Sequence, residues 1–117
     1  MQNLAFADRR IFQRLPVEFP LKYLALNTSK EGDARTLDIS GNGMGLVTNQ
    51  ELPRHTPVDI WLNIPDNGEP FYAKAEVAWS KSEANQYRAG VEFKKADFMG
   101  LSRVLRIIRE RKNKNPS

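Results

Sequence analysis

The feature that most constrains this chain is a succession of short runs in which apolar and polar residues alternate, each ended by turn formers. Val58-Asp59-Ile60-Trp61-Leu62-Asn63-Ile64 is the cleanest, with its even positions apolar. A two-residue period sends successive side chains to opposite faces of an extended backbone, so such a run is a half-buried strand. Pro65-Asp66-Asn67-Gly68-Glu69-Pro70 then turns the chain, with Asn-Gly at its centre. Phe71–Ser80 follows as a long strand, alternating Phe71, Ala73, Ala75, Val77 and Trp79 against Tyr72, Lys74 and Glu76. Lys81–Gln86 turns again, and Tyr87–Lys94 closes the series with Val91 and Phe93 on one face.

The N-terminal half carries the same signal. Val17, Phe19 and Leu21 alternate with Glu18 and Lys22 inside Leu15–Leu26, where Pro16 and Pro20 argue for an edge strand or a bend. Asn27–Asp33 reads as a polar turn, Ala34–Ile39 as the hairpin partner and Met44–Thr48 as a further strand. Asn49–Pro57 is a connection. The total is six or seven short strands at regular spacing, which implies an all-β barrel or sandwich. The end of the chain differs: Asp97 can cap a helix in which Phe98, Leu101, Val104, Leu105 and Ile108 recur at helical spacing. Arg103, Arg106, Arg109, Arg111 and Lys112 would fill its solvated face and last turn.

At 117 residues the chain is one domain, expected over 8–112 between flexible tails 1–7 and 113–117. With no cysteine there is no disulfide scaffold, thiolate metal site or cysteine nucleophile, which fits a cytoplasmic protein. No apolar run approaches the roughly 20 residues of a membrane span. The net charge of +4, from 18 basic and 14 acidic residues, favours an anionic partner mildly.

Within this frame, Leu37-Asp38-Ile39-Ser40-Gly41-Asn42-Gly43-Met44-Gly45-Leu46-Val47 interrupts two strands with three glycines. Glycine there allows φ > 0 and lets a ligand approach the backbone amides. The carboxylate, hydroxyl and amides suit the donor edge of a nucleobase. Upstream, Asp8-Arg9-Arg10-Ile11-Phe12-Gln13-Arg14 holds three arginines, whose planar forks can grip phosphate or the O6/N7 edge of guanine. Enzymatic readings find little support. Gly41, Gly43 and Gly45 make neither G-x-G-x-x-G nor a P-loop, and Ser40 has no histidine near it. His55, the only histidine, reads as a surface residue, so neither a catalytic group nor a metal site is expected.

Taken together, Arg10-x-x-x-Arg14 preceded by Arg9, and Asp38-x-Ser40-x-x-Gly43 after a strand, resemble the two signatures of the PilZ domain family. The resemblance spans about residues 8–110 and includes Val77-Ala78-Trp79, Gly90-Val91-Glu92-Phe93 and the terminal helix. It implies an antiparallel β-barrel of six or seven strands with one C-terminal helix and a flexible N-terminal arm. It also implies a non-enzymatic receptor for the bacterial second messenger cyclic di-GMP, needing no cofactor and acting on a downstream protein partner. By position, Arg9, Arg10 and Arg14 would meet guanine and phosphate, and Asp38, Ser40 and the amide near Gly43 would hold the guanine donor edge. Trp79 stands equally well for ligand contact or barrel packing. Two rivals are an adaptor that binds no nucleotide, and a barrel binding single-stranded nucleic acid. The second would need aromatics and cations interleaved on one sheet face, whereas here the cations cluster at the termini and most aromatics read as core.

Overall fold

A computed structural model of the chain describes residues 13–66 and 68–113, with the side chains of Lys112 and Asn113 left aside. The expected contacts of Arg9 and Arg10 lie outside the described residues. Seven strands follow in order: β1 (Leu15–Pro16), β2 (Pro20–Ala25), β3 (Lys30–Ser40), β4 (Gly43–Thr48), β5 (Pro57–Leu62), β6 (Phe71–Glu83) and β7 (Gln86–Ala96). One helix, α1 (Phe98–Asn113), ends the chain. All strand pairs are antiparallel.

The strand order β3-β2-β5-β6-β7-β4 returns to β3 through a β3–β4 pairing, so the sheet is a closed six-stranded barrel. Closure leaves no long exposed edge. β3 is long enough to serve two neighbours on one side: Lys30–Arg35 pair with β2, and Asp38 and Ile39 pair with the two residues of β1. The linker between β1 and β2 is tied to β3 through buried Thr36. Its hydroxyl donates to the Val17 carbonyl at 2.5 Å and accepts from the Phe19 amide at 2.9 Å. The chain that follows the arm is thereby fixed beside Asp38.

The interior is filled by the inward positions of the alternating strands, among them Leu21, Tyr23, Ile39, Met44, Ile60 and Val77. Each such side chain contributes about 1.5–3 kcal/mol by leaving water. Asp97 caps α1 as its sequence suggested, accepting from the Gly100 amide at 2.9 Å. Leu101, Val104, Leu105 and Ile108 join the barrel core.

Several elements depart from their sequence reading. Lys30–Asp33 continue β3 instead of forming the turn, because their polar side chains need only an outer face and not a loop. In the same way β6 and β7 extend to Glu83 and Gln86, leaving a two-residue turn in which Ala84 takes φ 46°. Phe98 belongs to the exposed start of α1 and not to its buried stripe. Arg103 is not on a solvated face: its Nε donates to Asp66 at 2.6 Å, and a second nitrogen donates to the Glu69 carbonyl. Asp66 is held below its ordinary 3.8, first by the Gly68 amide and then by Arg103. No helix among the described residues is long and apolar enough to cross a membrane.

Candidate functional site

Two irregularities in the pairing decide what the barrel shows on its outer surface. In β3, Ala34 and Thr36 are buried, so a regular strand would turn Asp38 inward as well. It does not, because Thr36 pairs with Leu46 and Asp38 with the next residue, Gly45, leaving Leu37 as an extra residue. In β6, Phe71, Ala73, Ala75 and Val77 are buried, and Trp79 would follow them into the core. Here Val77 pairs with Val91 and Trp79 with Gly90, so Ala78 is the extra residue. A β-bulge of this kind reverses the inward–outward parity of every residue beyond it. Both bulges act on the same rung, and they aim Asp38 and Trp79 out of the barrel.

That rung runs Asp38, Gly45, Gly90, Trp79 across β3, β4, β7 and β6. Its two middle members form a floor without side chains, and both are covered from the ends: the Trp79 indole lies over Gly90 and the Asp38 carboxylate over Gly45. Neighbouring strands lie about 4.8 Å apart, which sets the Asp38 and Trp79 backbones about 14 Å apart. The glycines are needed for close approach. A Cβ on Gly90 would lie 2.1 Å from Trp79 Nε1, and one on Gly45 would lie 3.2 Å from Asp38 Oδ1. No glycine among the described residues has a positive φ, so the conformational freedom expected of Gly41–Gly45 is not what these positions use.

The Asp38 carboxylate is partly open, and its two contacts fall on one oxygen. Oδ1 accepts from the Gly45 amide at 3.1 Å and from Arg14 at 2.6 Å. Oδ2 accepts no hydrogen bond from a described residue. The Arg14 side chain is 53% exposed and that of Asp38 32%. An ion pair this open to solvent is worth about 0–1 kcal/mol, so Arg14 is held on the carboxylate but can be displaced from it. The structure thus joins Arg14 to Asp38 across 24 residues of sequence.

Ser40 and Gly43 have a different place. Ser40 is fully buried, and its hydroxyl donates to Asn42 Oδ1 at 2.7 Å inside the turn between β3 and β4. It clasps the turn beside Asp38 and does not lie on the floor. Gly43 is buried between Ser40 and Glu92, where a Cβ would come within 2.1 Å of the Val91 carbonyl. Its lack of a side chain lets β4 and β7 approach. Trp79 stands outside the barrel core, 45% exposed, with its indole lying over Gly90.

In the sequence reading Gly45 was one of three glycines open to a ligand, and Gly90 only part of the Gly90-Val91-Glu92-Phe93 match; their shared rung was not anticipated. A glycine inside an alternating strand is itself a sign of close backbone approach, and Gly90 between Ala89 and Val91 carried that sign. The aromatics are also less internal than expected. Trp61 and Tyr72 are exposed on β5 and β6, with ring centroids 5.5 Å apart, so the argument that placed most aromatics in the core is corrected. His55 is on the surface, its Nδ1 3.3 Å from Glu76 Oε2. A groove of about 580 Å³ between Leu15–Glu18 and the Ile108–Arg111 end of α1 contains neither Asp38 nor Trp79.

Comparison with known proteins agrees with this architecture. The PilZ domain family model matches residues 8–110. No curated protein matches the sequence. Among solved structures, the inhibitor of motility MotI/DgrA from Bacillus subtilis superposes with a TM-score of 0.71 at 14% identity, covering 88% of this chain and 51% of that protein. This chain therefore spans about half of that relative. The PilZ domain with c-di-GMP of YcgR from Escherichia coli gives a TM-score of 0.69 at 18% identity, covering 91% and 96% of the two chains. The PilZ domain of CeSA from a cellulose-synthesizing bacterium gives 0.60 at 19% identity, covering 86% and 98%. At such identities the superpositions speak for the fold, while the family model covers nearly the whole sequence: the chain belongs to the PilZ domain family.

Proposed function

We propose that this PilZ domain is a receptor for cyclic di-GMP that binds the dinucleotide on the Asp38–Gly45–Gly90–Trp79 rung. The observation that carries the reading is the rung itself: a partly open carboxylate whose Oδ2 accepts no hydrogen bond from a described residue, and a half-exposed indole, lying towards each other over two glycines. Guanine presents N1–H and N2–H together, a donor pair that the two oxygens of a carboxylate match. Displacing Arg14 frees Asp38 Oδ1 for that pair. The base is then held at the rung by Asp38, and a purine face stacks on the exposed side of Trp79, a contact worth about 1–3 kcal/mol. Ser40 takes part by holding the turn that positions Asp38.

Arg14, released from the carboxylate, moves to the acceptor edge of guanine or to a phosphate, where a guanidinium forms charge-assisted bonds. Arg9 and Arg10 join it from the arm. In this account the ion pair between Arg14 and Asp38 is the ligand-free state of the clamp. Its exchange for nucleotide reshapes the surface beside β1, and that change is the signal a partner protein would read. Family membership supports the reading, as does the presence of c-di-GMP with the YcgR domain of the same fold. We read the domain as a receptor or adaptor and not as an enzyme, in the cytoplasm where its ligand would be made.

Isothermal titration of the full chain with cyclic di-GMP tests this. Binding should be lost or weakened at least 50-fold in Asp38→Ala, about the 2–3 kcal/mol of a charged hydrogen-bonded contact, and at least tenfold in Arg14→Ala. Absence of binding by the wild-type protein would overturn it in favour of an adaptor that works by protein contact alone. Competition between free dinucleotide and a random single-stranded RNA in a gel-shift separates the nucleic-acid alternative, which the exposed Trp79 beside Arg88 makes worth testing.

A further inference from the structure

Beside the glycine rung the barrel carries a second row of outward residues. Two positions on from Gly45, Gly90 and Trp79, the register aligns Val47, Arg88 and Lys81, and Val47 pairs in turn with Arg35 on β3. Successive outward positions on one strand are about 7 Å apart, so Arg35, Arg88 and Lys81 border the floor directly. They border it on the side away from the arm. Leu15 pairs with Ile39, which puts Arg14 on the Ser40 side of Asp38, whereas Arg35 lies on the other side.

The charge on this border is not fully spent. Arg35 is exposed and has no ion-pair partner among the described residues. Arg88 and Lys81 share one carboxylate, Glu83, at 2.9 Å and 3.6 Å. The Arg88 Nε contact is too bent to count as a hydrogen bond, which leaves that donor unsatisfied. Three cations against one anion leave a surplus of two positive charges. The opposite border carries no such surplus: Gly43 pairs with Glu92 and Glu92 with Glu76, but Lys94 holds Glu92 at 3.0 Å and His55 lies 3.3 Å from Glu76. An anionic ligand lying over the rung is therefore drawn to the Arg35–Arg88–Lys81 border, over distances within the roughly 8–10 Å reach of charges in salt.

We propose that Arg35, Arg88 and Lys81 form a phosphate-binding border on the barrel wall, which takes a phosphodiester of the cyclic dinucleotide lying on the glycine floor. The inference rests on the function proposed above and adds to it a fixed set of cations opposite those of the arm. The border orients the ligand, because one phosphodiester lies at Arg35 and Arg88 while the other stays within reach of the arm. Arginine suits that task better than lysine, since its fork meets two phosphate oxygens at once.

The test is calorimetric titration of cyclic di-GMP into the full-length wild type, Arg35→Gln, Arg35→Gln/Arg88→Gln, Asp38→Ala and the exposed helix variant Arg106→Gln. Each is measured at about 50 and about 200 mM salt, which changes the screening length roughly twofold. The double variant should bind about tenfold more weakly at the lower salt, and its affinity should respond less to salt than that of the wild type. Arg35→Gln alone, at a residue with no ion-pair partner among the described residues, should show about half of that effect on a logarithmic scale, and Arg106→Gln none. If both border variants bind with wild-type affinity and salt dependence while Asp38→Ala does not bind, the border is refuted and the proposed function stands. Failure of the wild type to bind refutes both.

Discussion

The barrel exposes aromatic and charged side chains on two of its outer faces, and only one of them looks like a site. On the face formed by β2, β5 and β6, the register aligns Lys22, Trp61 and Tyr72. Every one of these residues is engaged with a neighbour. Lys22 pairs with Asp33 at 2.9 Å, Trp61 and Tyr72 stack against each other, and the Tyr72 hydroxyl donates to Asp59 at 2.8 Å. On the face formed by β3, β4, β7 and β6, the middle of the rung is two glycines, over which the Asp38 carboxylate and the Trp79 indole lie from either end. Exposure alone does not separate these faces, since Trp61, Tyr72 and Trp79 are similarly open. What separates them is the aromatic ring: Trp61 has Tyr72 as its partner, whereas Trp79 has no ring partner among the described residues, and Asp38 beside it keeps one oxygen without a bond from a described residue. Side-chain pairs across a sheet stabilise it by a few tenths to about 1 kcal/mol each. The glycine rung forgoes that stabilisation at its two middle positions.

The comparison can be broken by exchanging aromatics. Trp79→Ala should weaken cyclic di-GMP binding by roughly 10-fold or more, following the 1–3 kcal/mol of a base stack, while Trp61→Ala should leave it unchanged. Equal effects in calorimetric titrations of the two variants would mean that the faces do not differ as argued. A smaller perturbation sharpens it. Gly90→Ala puts a methyl group where the Trp79 indole now lies, 2.1 Å from Nε1, and the exposed ring can swing away. The barrel should keep its fold, but the indole loses its place over the rung, and affinity should fall severalfold with a change in tryptophan fluorescence. An alanine at Gly90 that binds as wild type would show that the floor is not used.

The smallest expected effect lies away from both faces. Asp66, lowered by the Gly68 amide and Arg103, contributes stability that is complete above its unfolded value near 3.8 and is lost as pH falls through the lower folded value. Asp66→Asn should slightly lower the melting temperature at neutral pH and remove part of the acid-side decline below about pH 4. Nucleotide affinity at neutral pH should not move. Thermal melts across this range, beside one titration, check both parts.

Most of the architecture was legible because burial on one side of a strand writes itself into alternation. Val58–Ile64 and the helix from Asp97 onward are examples, as their inward positions are the apolar ones. The motif residues were legible as chemistry, since a carboxylate and arginines announce what they can bind. The site was not legible as geometry. Leu37 and Ala78 are apolar residues inside apolar strands, and nothing in composition marks them as the extra residues of bulges. Each reverses parity beyond it, so Trp79 continued the buried series in sequence but stands outside the barrel. Ser40 and Gly43, placed by their motif at the ligand, are buried in the turn and between strands that approach closely, which their motif did not signal. Arg35 and Arg88 gave no signal, because two arginines 53 residues apart become neighbours of one floor only through the pairing of both with Val47.

The chain has two tryptophans, and they lie on the two faces being compared, so their indole N–H resonances report on each separately. A nitrogen-15 correlation spectrum recorded during titration with cyclic di-GMP, with the indole signals assigned through Trp61→Phe, is the most direct test. The account predicts that the Trp79 indole and the amides of Gly45 and Gly90 shift with ligand while the Trp61 indole stays in place. Movement of the Trp61 indole with the Gly45, Gly90 and Trp79 signals unchanged would contradict it.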